Sequence, residues 1–340
     1  MEVARGFGFD DLLLEPRHSR FYSRSDVAFT IHIPRTEIFL SIPIFSSPMD
    51  TVTESDMAIF MAEYSAVGVI HRYMSIEEQA AQVHKVKGHK VVGSRYASVG
   101  ASVGSNGSHA ERAMALLEAG ADFITLDVAH GDTRSSLEFI SWLRNVDENI
   151  CIMSGNIATR EGARNSIEAG ADMLRVGVGA GSACTTRLVA GVGVPQLTAI
   201  ERAAEVAAGY PGRKVLVVAD GGIKHSGDIV KAIAAGADAV MLGGMLSRYA
   251  VAPMPGKYRG MASEEALVSY KGRLDVSAEG ESFESEVIED YQQNFEKLVS
   301  AIQQGFAYLG ASNTKELREN ARWVEISPLG HRESAAHFDG

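Results

Sequence analysis

The sequence predicts a (β/α)8 TIM barrel, α/β in class, on three observations. A short pattern recurs: Glu118-Ala119-Gly120-Ala121-Asp122, Glu168-Ala169-Gly170-Ala171-Asp172 and Ala235-Gly236-Ala237-Asp238, each ahead of a short apolar run. A helix that stops at glycine and feeds such a run is the αβ half of a βαβ unit, so repetition points to a parallel sheet. The apolar runs at 42–45, 66–70, 98–103, 150–153 and 215–219, with those opening at Phe123, Met173 and Ala239, bring the strand count to eight. Polar and glycine-rich residues then fall directly after nearly every run, where a barrel carries its active site. An open doubly wound sheet accommodates the same runs and stays as the alternative.

Taken in order, the first run is followed by Ser46-Ser47-Pro48-Met49-Asp50 and the second by His71-Arg72. Asp127-Val128-Ala129-His130-Gly131 follows the fourth and Gly155-Asn156 the fifth. The sixth opens into Gly177-Val178-Gly179-Ala180-Gly181-Ser182-Ala183-Cys184-Thr185-Thr186-Arg187, the seventh into Asp220-Gly221-Gly222 and the eighth into Gly243-Gly244-Met245. Singly, each has a structural explanation as a cap or tight turn. Beyond the eighth run, Tyr258-Arg259-Gly260-Met261-Ala262-Ser263 and the polar stretch 271–286 interrupt the helical pattern and read as a flap at about 258–290. Residues 1–340 are expected to form one barrel domain.

Composition narrows the chemistry. A formal net charge of -11, with no clustered Lys and Arg, argues against nucleic acid and anionic membrane as partners. Only Cys151 and Cys184 are present, so a disulfide framework is not the design and a cytoplasmic location is expected. No signal peptide and no apolar stretch of membrane-spanning length is evident.

Cys184 stands out as a nucleophile, at the end of a loop whose alternate glycines let amides and carbonyls turn inward on an ion. Gly221-Gly222 and Gly243-Gly244 offer bare amides of the kind that hold a phosphate. Asp220 suits a ribose diol, or equally a helix cap. Glu279, beside Gly280 in the flap, reads either as a carboxylate that swings over the cysteine loop or as a solvated loop acid.

Together the segment Met49-Asp50-Thr51-Val52-Thr53-Glu54, the cysteine loop, Gly191-Val192-Gly193-Val194-Pro195-Gln196-Leu197, Asp220-Gly221-Gly222-Ile223 and Met241-Leu242-Gly243-Gly244-Met245-Leu246 resemble the IMP dehydrogenase and GMP reductase family. The resemblance runs from about Phe9 to Asn320. It implies a barrel enzyme, a purine nucleoside monophosphate substrate, a nicotinamide cofactor and a homotetramer. It further implies that Cys184 forms a thioimidate at purine C2 while Thr186 and Glu279 move the proton. Ser182, Gly222, Gly243 and Gly244 would hold the phosphate, Asp220 the ribose, and Met261 and Ala262 the base. Arg72 and Asp127, Val128 and Ala129 would face the cofactor. The carbonyls of Gly179, Gly181 and Cys184 match positions that bind a monovalent cation, K+ being the expectation.

Which reaction follows is a question for the flap. Family dehydrogenases hydrolyse the adduct with a flap Arg-Tyr pair, whereas this chain has Lys271-Gly272-Arg273-Leu274 between Met261 and Glu279. The pairs Arg72-Tyr73, Arg95-Tyr96 and Arg248-Tyr249 lie elsewhere and read as structural. The stretch 86–98 also leaves no room for the regulatory insertion usual in dehydrogenases. Pulling the other way, residues 50–54 and 71–75 look more like the dehydrogenase branch, and Val276 stands where many reductases carry Arg. The expectation is an NADPH-dependent GMP reductase; an NAD-dependent IMP dehydrogenase without the insertion, or a catalytically silent nucleotide-binding paralogue, are the alternatives.

Overall fold

In a computed structural model, which describes residues 3–21, 23–91, 95–272 and 277–334, eight parallel strands close on themselves as a barrel. They are β1 (Ile44–Ser46), β2 (Val67–Ile70), β3 (Val99–Val103), β4 (Phe123–Leu126), β5 (Cys151–Ile157), β6 (Met173–Val176), β7 (Leu216–Asp220) and β8 (Ala239–Leu242). Each pairs with its sequence neighbours, and β8 returns to pair with β1, so no sheet edge remains and the doubly wound alternative falls. All eight runs identified in the sequence are strands. Three end later than expected: Ser46 closes β1, β5 carries Asn156 within it, and Asp220 is the last residue of β7 rather than the first of the loop.

The chain feeds the barrel through a clasp that explains the recurring Gly-Ala-Asp. Gly120, Gly170 and Gly236 take positive φ values of 98°, 120° and 118°, which a side chain resists, and turn the chain out of each helix. The aspartate two residues on donates its own amide to the first strand residues of the preceding unit: Asp122 to the Val99 carbonyl, Asp172 to Ile152 and Asp238 to Val217. Its carboxylate accepts the amide of that same residue, at 2.8, 3.0 and 2.9 Å respectively. Three basic groups meet Asp172 (Arg35, Arg144 and Arg213), while Lys87 meets Asp122 and Arg318 meets Asp238. These clasps ring the N-terminal end of the barrel.

Two apolar cores result. Inside the barrel, Phe45, Val69, Phe123, Met153, Met173, Val218 and Met241 fill the lumen. The lumen is sealed at its N-terminal end by a hairpin of Ile31–His32 and Phe39–Leu40, whose Ile31, Ile33 and Leu40 join the cluster. Outside, helices including Ser55–Glu63, Ile76–Lys87, Gln196–Gly209, Ser226–Ala234 and Tyr291–Tyr308 pack over the strands. Burying a side chain such as Phe123 stabilises the fold by about 1.5–3 kcal/mol, so the sealed lumen gives the opposite, open end a rigid base.

The described part of the flap is built on a short two-stranded ladder. Strand Lys257–Arg259 pairs antiparallel with Ser282–Glu284, and helix Glu264–Lys271 lies between them. Arg259 anchors it, donating to Asp50 below β1 with both partners buried and Nε to Oδ2 at 3.0 Å. Arg273, Leu274 and Val276, which bear on the choice of reaction, lie outside the described residues. Among the described residues, no helix is long and apolar enough to cross a membrane.

Candidate active site

At the C-terminal end of the strands lies a cleft of about 320 Å³, and every site residue singled out from the sequence lines it. Those residues come from loops after β2, β4, β6, β7 and β8 and from the flap, far apart in sequence and convergent only because the barrel closes.

Cys184 begins a hydrogen-bonded line of three side chains. Its Sγ donates to Thr186 Oγ1 at 3.1 Å, and Thr186 Oγ1 donates to Glu279 Oε2 at 2.7 Å. Main-chain pairing fixes this line. The Thr185 amide donates to the Glu279 carbonyl and the Glu281 amide to the Ala183 carbonyl, each at 3.0 Å, while the Glu279 amide donates to Ala262 at 2.9 Å. In this structure Glu279 is half-buried and docked against the cysteine loop. The second cysteine, Cys151, is buried in the lumen, where desolvation pushes its thiol well above the usual range and leaves it unreactive.

Below Cys184, an ionic line crosses the mouth of the barrel. Arg175, on β6, donates from Nε to Asp220 Oδ2 at 2.8 Å and from Nη1 to Asp127 Oδ1 at 2.6 Å. Arg72 reaches the other oxygen of Asp127 at 3.3 Å. Burial opposes the Arg175 charge, but the two carboxylates outweigh it and hold its pKa above the ordinary arginine value. Asn156 donates its side-chain amide to Asp220 Oδ2 at 2.8 Å, so Asp220 is held on one oxygen and offers the other. Residue 155 must be small here: a Cβ there would stand 2.5 Å from that of Arg175.

Ser182, Gly243 and Gly244 gather around Tyr258, a residue the sequence reading placed in the flap without assigning it to the site, and Gly222 lines the same cleft. The Tyr258 ring lies against Gly243 and Gly244, so that a Cβ on residue 243 would meet it at 3.1 Å. Burial, and then the nearby Asp220 charge, push its phenol up to about 12, with Ser182 partly offsetting the rise. Tyr258 therefore keeps its proton near neutrality, as a donor to an anion must.

Both residues of the Arg72-Tyr73 pair line the cleft. Tyr73 donates its hydroxyl to the Met261 carbonyl at 2.5 Å and stacks on Tyr270 of the flap helix, centroids 4.4 Å apart. By contrast, Tyr249 of the Arg248-Tyr249 pair is buried in the outer core and bonds Asn294, a packing role. In the cysteine loop, the Gly181 carbonyl accepts the Cys184 amide at 3.0 Å. Those of Gly179 and Cys184 accept no backbone amide among the described residues.

A cysteine hydrogen-bonded through a threonine to a glutamate, set beside an ionic network at the C-terminal mouth of a (β/α)8 barrel, places this chain in the class of barrel proteins whose site lies where such enzymes carry theirs. Comparison with known proteins narrows the class. The IMP dehydrogenase / GMP reductase domain profile matches residues 6–337, and the chain belongs to that family, whose members are oxidoreductases. The inosine-5'-monophosphate dehydrogenase of Cryptosporidium parvum is 36% identical over 98% of this chain and 96% of its own length. That of Aquifex aeolicus is 32% identical over 99% and 96%, in an alignment of 478 positions that implies insertions relative to this chain. Among solved structures, a cysteine-to-alanine variant of Trypanosoma brucei GMP reductase with guanosine 5'-monophosphate superposes with a TM-score of 0.91. It is 29% identical, and the match covers 99% of each chain.

Proposed function

We propose that this chain is a GMP reductase, converting GMP to IMP and ammonia at the expense of NADPH. The observation that carries this reading is the unbroken line from Cys184 through Thr186 to Glu279, which connects the nucleophile to an acid without a water gap. The thiol proton leaves along this line, and Cys184 sulfur bonds to purine C2. The same proton returns through Thr186 to the exocyclic nitrogen, which departs as ammonia and leaves a thioimidate. When bound, the reduced nicotinamide supplies the hydride that C2 accepts. The C2–S bond then breaks with its electron pair on sulfur, releasing IMP and a Cys184 thiolate, which takes up a proton from solvent to restore the thiol.

Ser182, Gly222, Gly243, Gly244 and the neutral Tyr258 suit the phosphate, and the free oxygen of Asp220 suits the ribose diol. Met261 and Ala262 border the base. Arg72 and Asp127, already mutually neutralised, with the apolar Val128 and Ala129, fit an uncharged nicotinamide ring and its ribose. The Gly179, Gly181 and Cys184 carbonyls, a donor set without a carboxylate, fit a monovalent cation such as K+.

The test is direct. Purified protein is incubated with GMP plus NADPH, and separately with IMP plus NAD, while the absorbance of the reduced nicotinamide is followed. Multiple turnovers in the first reaction alone support the reductase. Sustained conversion of IMP to XMP overturns it in favour of the dehydrogenase, and silence in both in favour of a nucleotide-binding protein.

A further inference from the structure

The ionic line beneath the cleft contains a residue that touches both halves of the proposed site. Asp220 stands on the nucleotide side and Asp127 on the cofactor side, and neither is bonded to the other. Arg175 joins them, using Nε for one and Nη1 for the other, so that two different edges of one guanidinium are committed. Its side chain is 7% exposed, against 12% for Asp127 and 14% for Asp220, so solvent screens these contacts weakly. A planar fork is suited to holding two carboxylates at fixed separation, which a lysine ammonium on a flexible stem is not. The surroundings are shaped for it. Residue 155 lacks a side chain where Arg175 crosses, and a Cβ on residue 177 would fall 1.9 Å from the Asp220 carbonyl. Asn156 and Gln196 hold Asp220 from other directions.

We infer that Arg175 is a positioning residue that couples the two half-sites, so that filling either one orders the carboxylate that serves the other. This rests on the nucleotide and cofactor assignments proposed above, though not on the direction of the reaction. When a ribose diol donates to the free oxygen of Asp220, it removes the libration that the Arg175 and Asn156 contacts on the other oxygen still leave to that carboxylate. Arg175 is then fixed, and through it Asp127. The second ligand meets a carboxylate whose ordering cost has already been met, and binds more tightly by that amount. By reciprocity the cofactor favours the nucleotide to the same degree.

The experiment uses IMP and NADPH, a pair inert under either family reaction because both already carry the hydride. Calorimetry gives the Kd of IMP alone and with saturating NADPH. Coupling predicts that NADPH tightens IMP by about fivefold or more in the wild type. In Arg175→Lys that ratio should fall to within about twofold of one, because a single ammonium cannot hold both partners. A residue that merely supports the fold would lower the melting temperature and both affinities yet preserve the ratio. A wild-type ratio near one, or a full ratio in Arg175→Lys, overturns the inference. Should Arg175→Lys fail to fold, Asp127→Asn is measured in the same way, and a full ratio there overturns it as well. Failure of GMP reduction by the wild type would sink the reductase assignment alone, since the inert pair reads coupling independently of it.

Discussion

Thr186 donates its hydroxyl proton to Glu279 at 2.7 Å, across a sequence separation of 93 residues, and in doing so connects the cysteine loop to the flap. Thr186 thus stands between Cys184 and Glu279 as both acceptor and donor, and any proton moved along this line passes through its hydroxyl.

Replacing Cys184 with Ala should abolish turnover by several orders of magnitude, because the covalent route is lost. Nucleotide binding should survive, since Ser182, Asp220 and Tyr258 remain. Steady-state rates and calorimetric titration with GMP check the two halves separately. More than about a tenth of the wild-type rate would remove Cys184 from the nucleophile role.

Glu279→Gln keeps shape and loses the exchangeable acid proton. The variant should bind GMP and NADPH normally and fail to release ammonia. It should still exchange hydride between IMP and the oxidised cofactor, slowed by loss of the thiol's proton acceptor but not abolished, because that half-reaction expels no nitrogen. Single-turnover ammonia release at the wild-type rate would refute the relay.

Asp220→Ala should raise the KM for GMP more than it lowers kcat, because a ribose contact is made in ground and transition states alike. A collapsed kcat with KM unchanged would instead place Asp220 in the chemistry.

Gly155→Ala brings a Cβ within 2.5 Å of the Arg175 Cβ, an atom near the main chain with little freedom to retreat. Overpacking of this kind costs about 1–3 kcal/mol of stability. Displacement of Arg175 should lower kcat/KM on the order of 10–100-fold, the scale of a misplaced ligand. A variant with the melting temperature lowered and kcat/KM intact would show that the line tolerates being moved.

Tyr258 supplies a pH test. Its folded phenol titrates at about 12 against 10.0 for the ordinary group, so the native state favours the protonated form. The stability it contributes is complete below pH 10 and is lost as pH rises toward 12. Thermal melts of wild type and Tyr258→Phe between pH 9 and 11 should show the wild type falling more steeply. A parallel fall would mean that Tyr258 ionises no later than the unfolded phenol.

The barrel was legible because its signals are repeated and local: glycine stops, apolar runs and polar residues after them. The cysteine loop stood out by its glycines and its thiol, whereas Glu279 was singled out only through the resemblance, because a lone acid beside a glycine reads equally as a solvated loop residue. Arg175 was not, because it sits inside the run Met173–Val176 and counted as part of a buried strand. A lone arginine in a fully buried parallel strand was itself the signal, since such a charge needs partners. Tyr258 escaped for a related reason, because its value as a donor depends on a burial that only the closed flap creates. The aspartates of the Gly-Ala-Asp repeat carry no role legible in the sequence, because their bonds to neighbouring units depend on pairings that no local pattern contains.

Those three aspartate clasps have an implication for how the protein can change. They sit at the end of the barrel away from the cleft and secure the starts of neighbouring strands, Val99 to Phe123, Ile152 to Met173 and Val217 to Ala239. Loops at the chemical end can therefore lengthen, shorten or exchange residues without loosening strand register, which is set at the far end. One scaffold can in this way drift between catalytic outcomes while its frame is inherited intact.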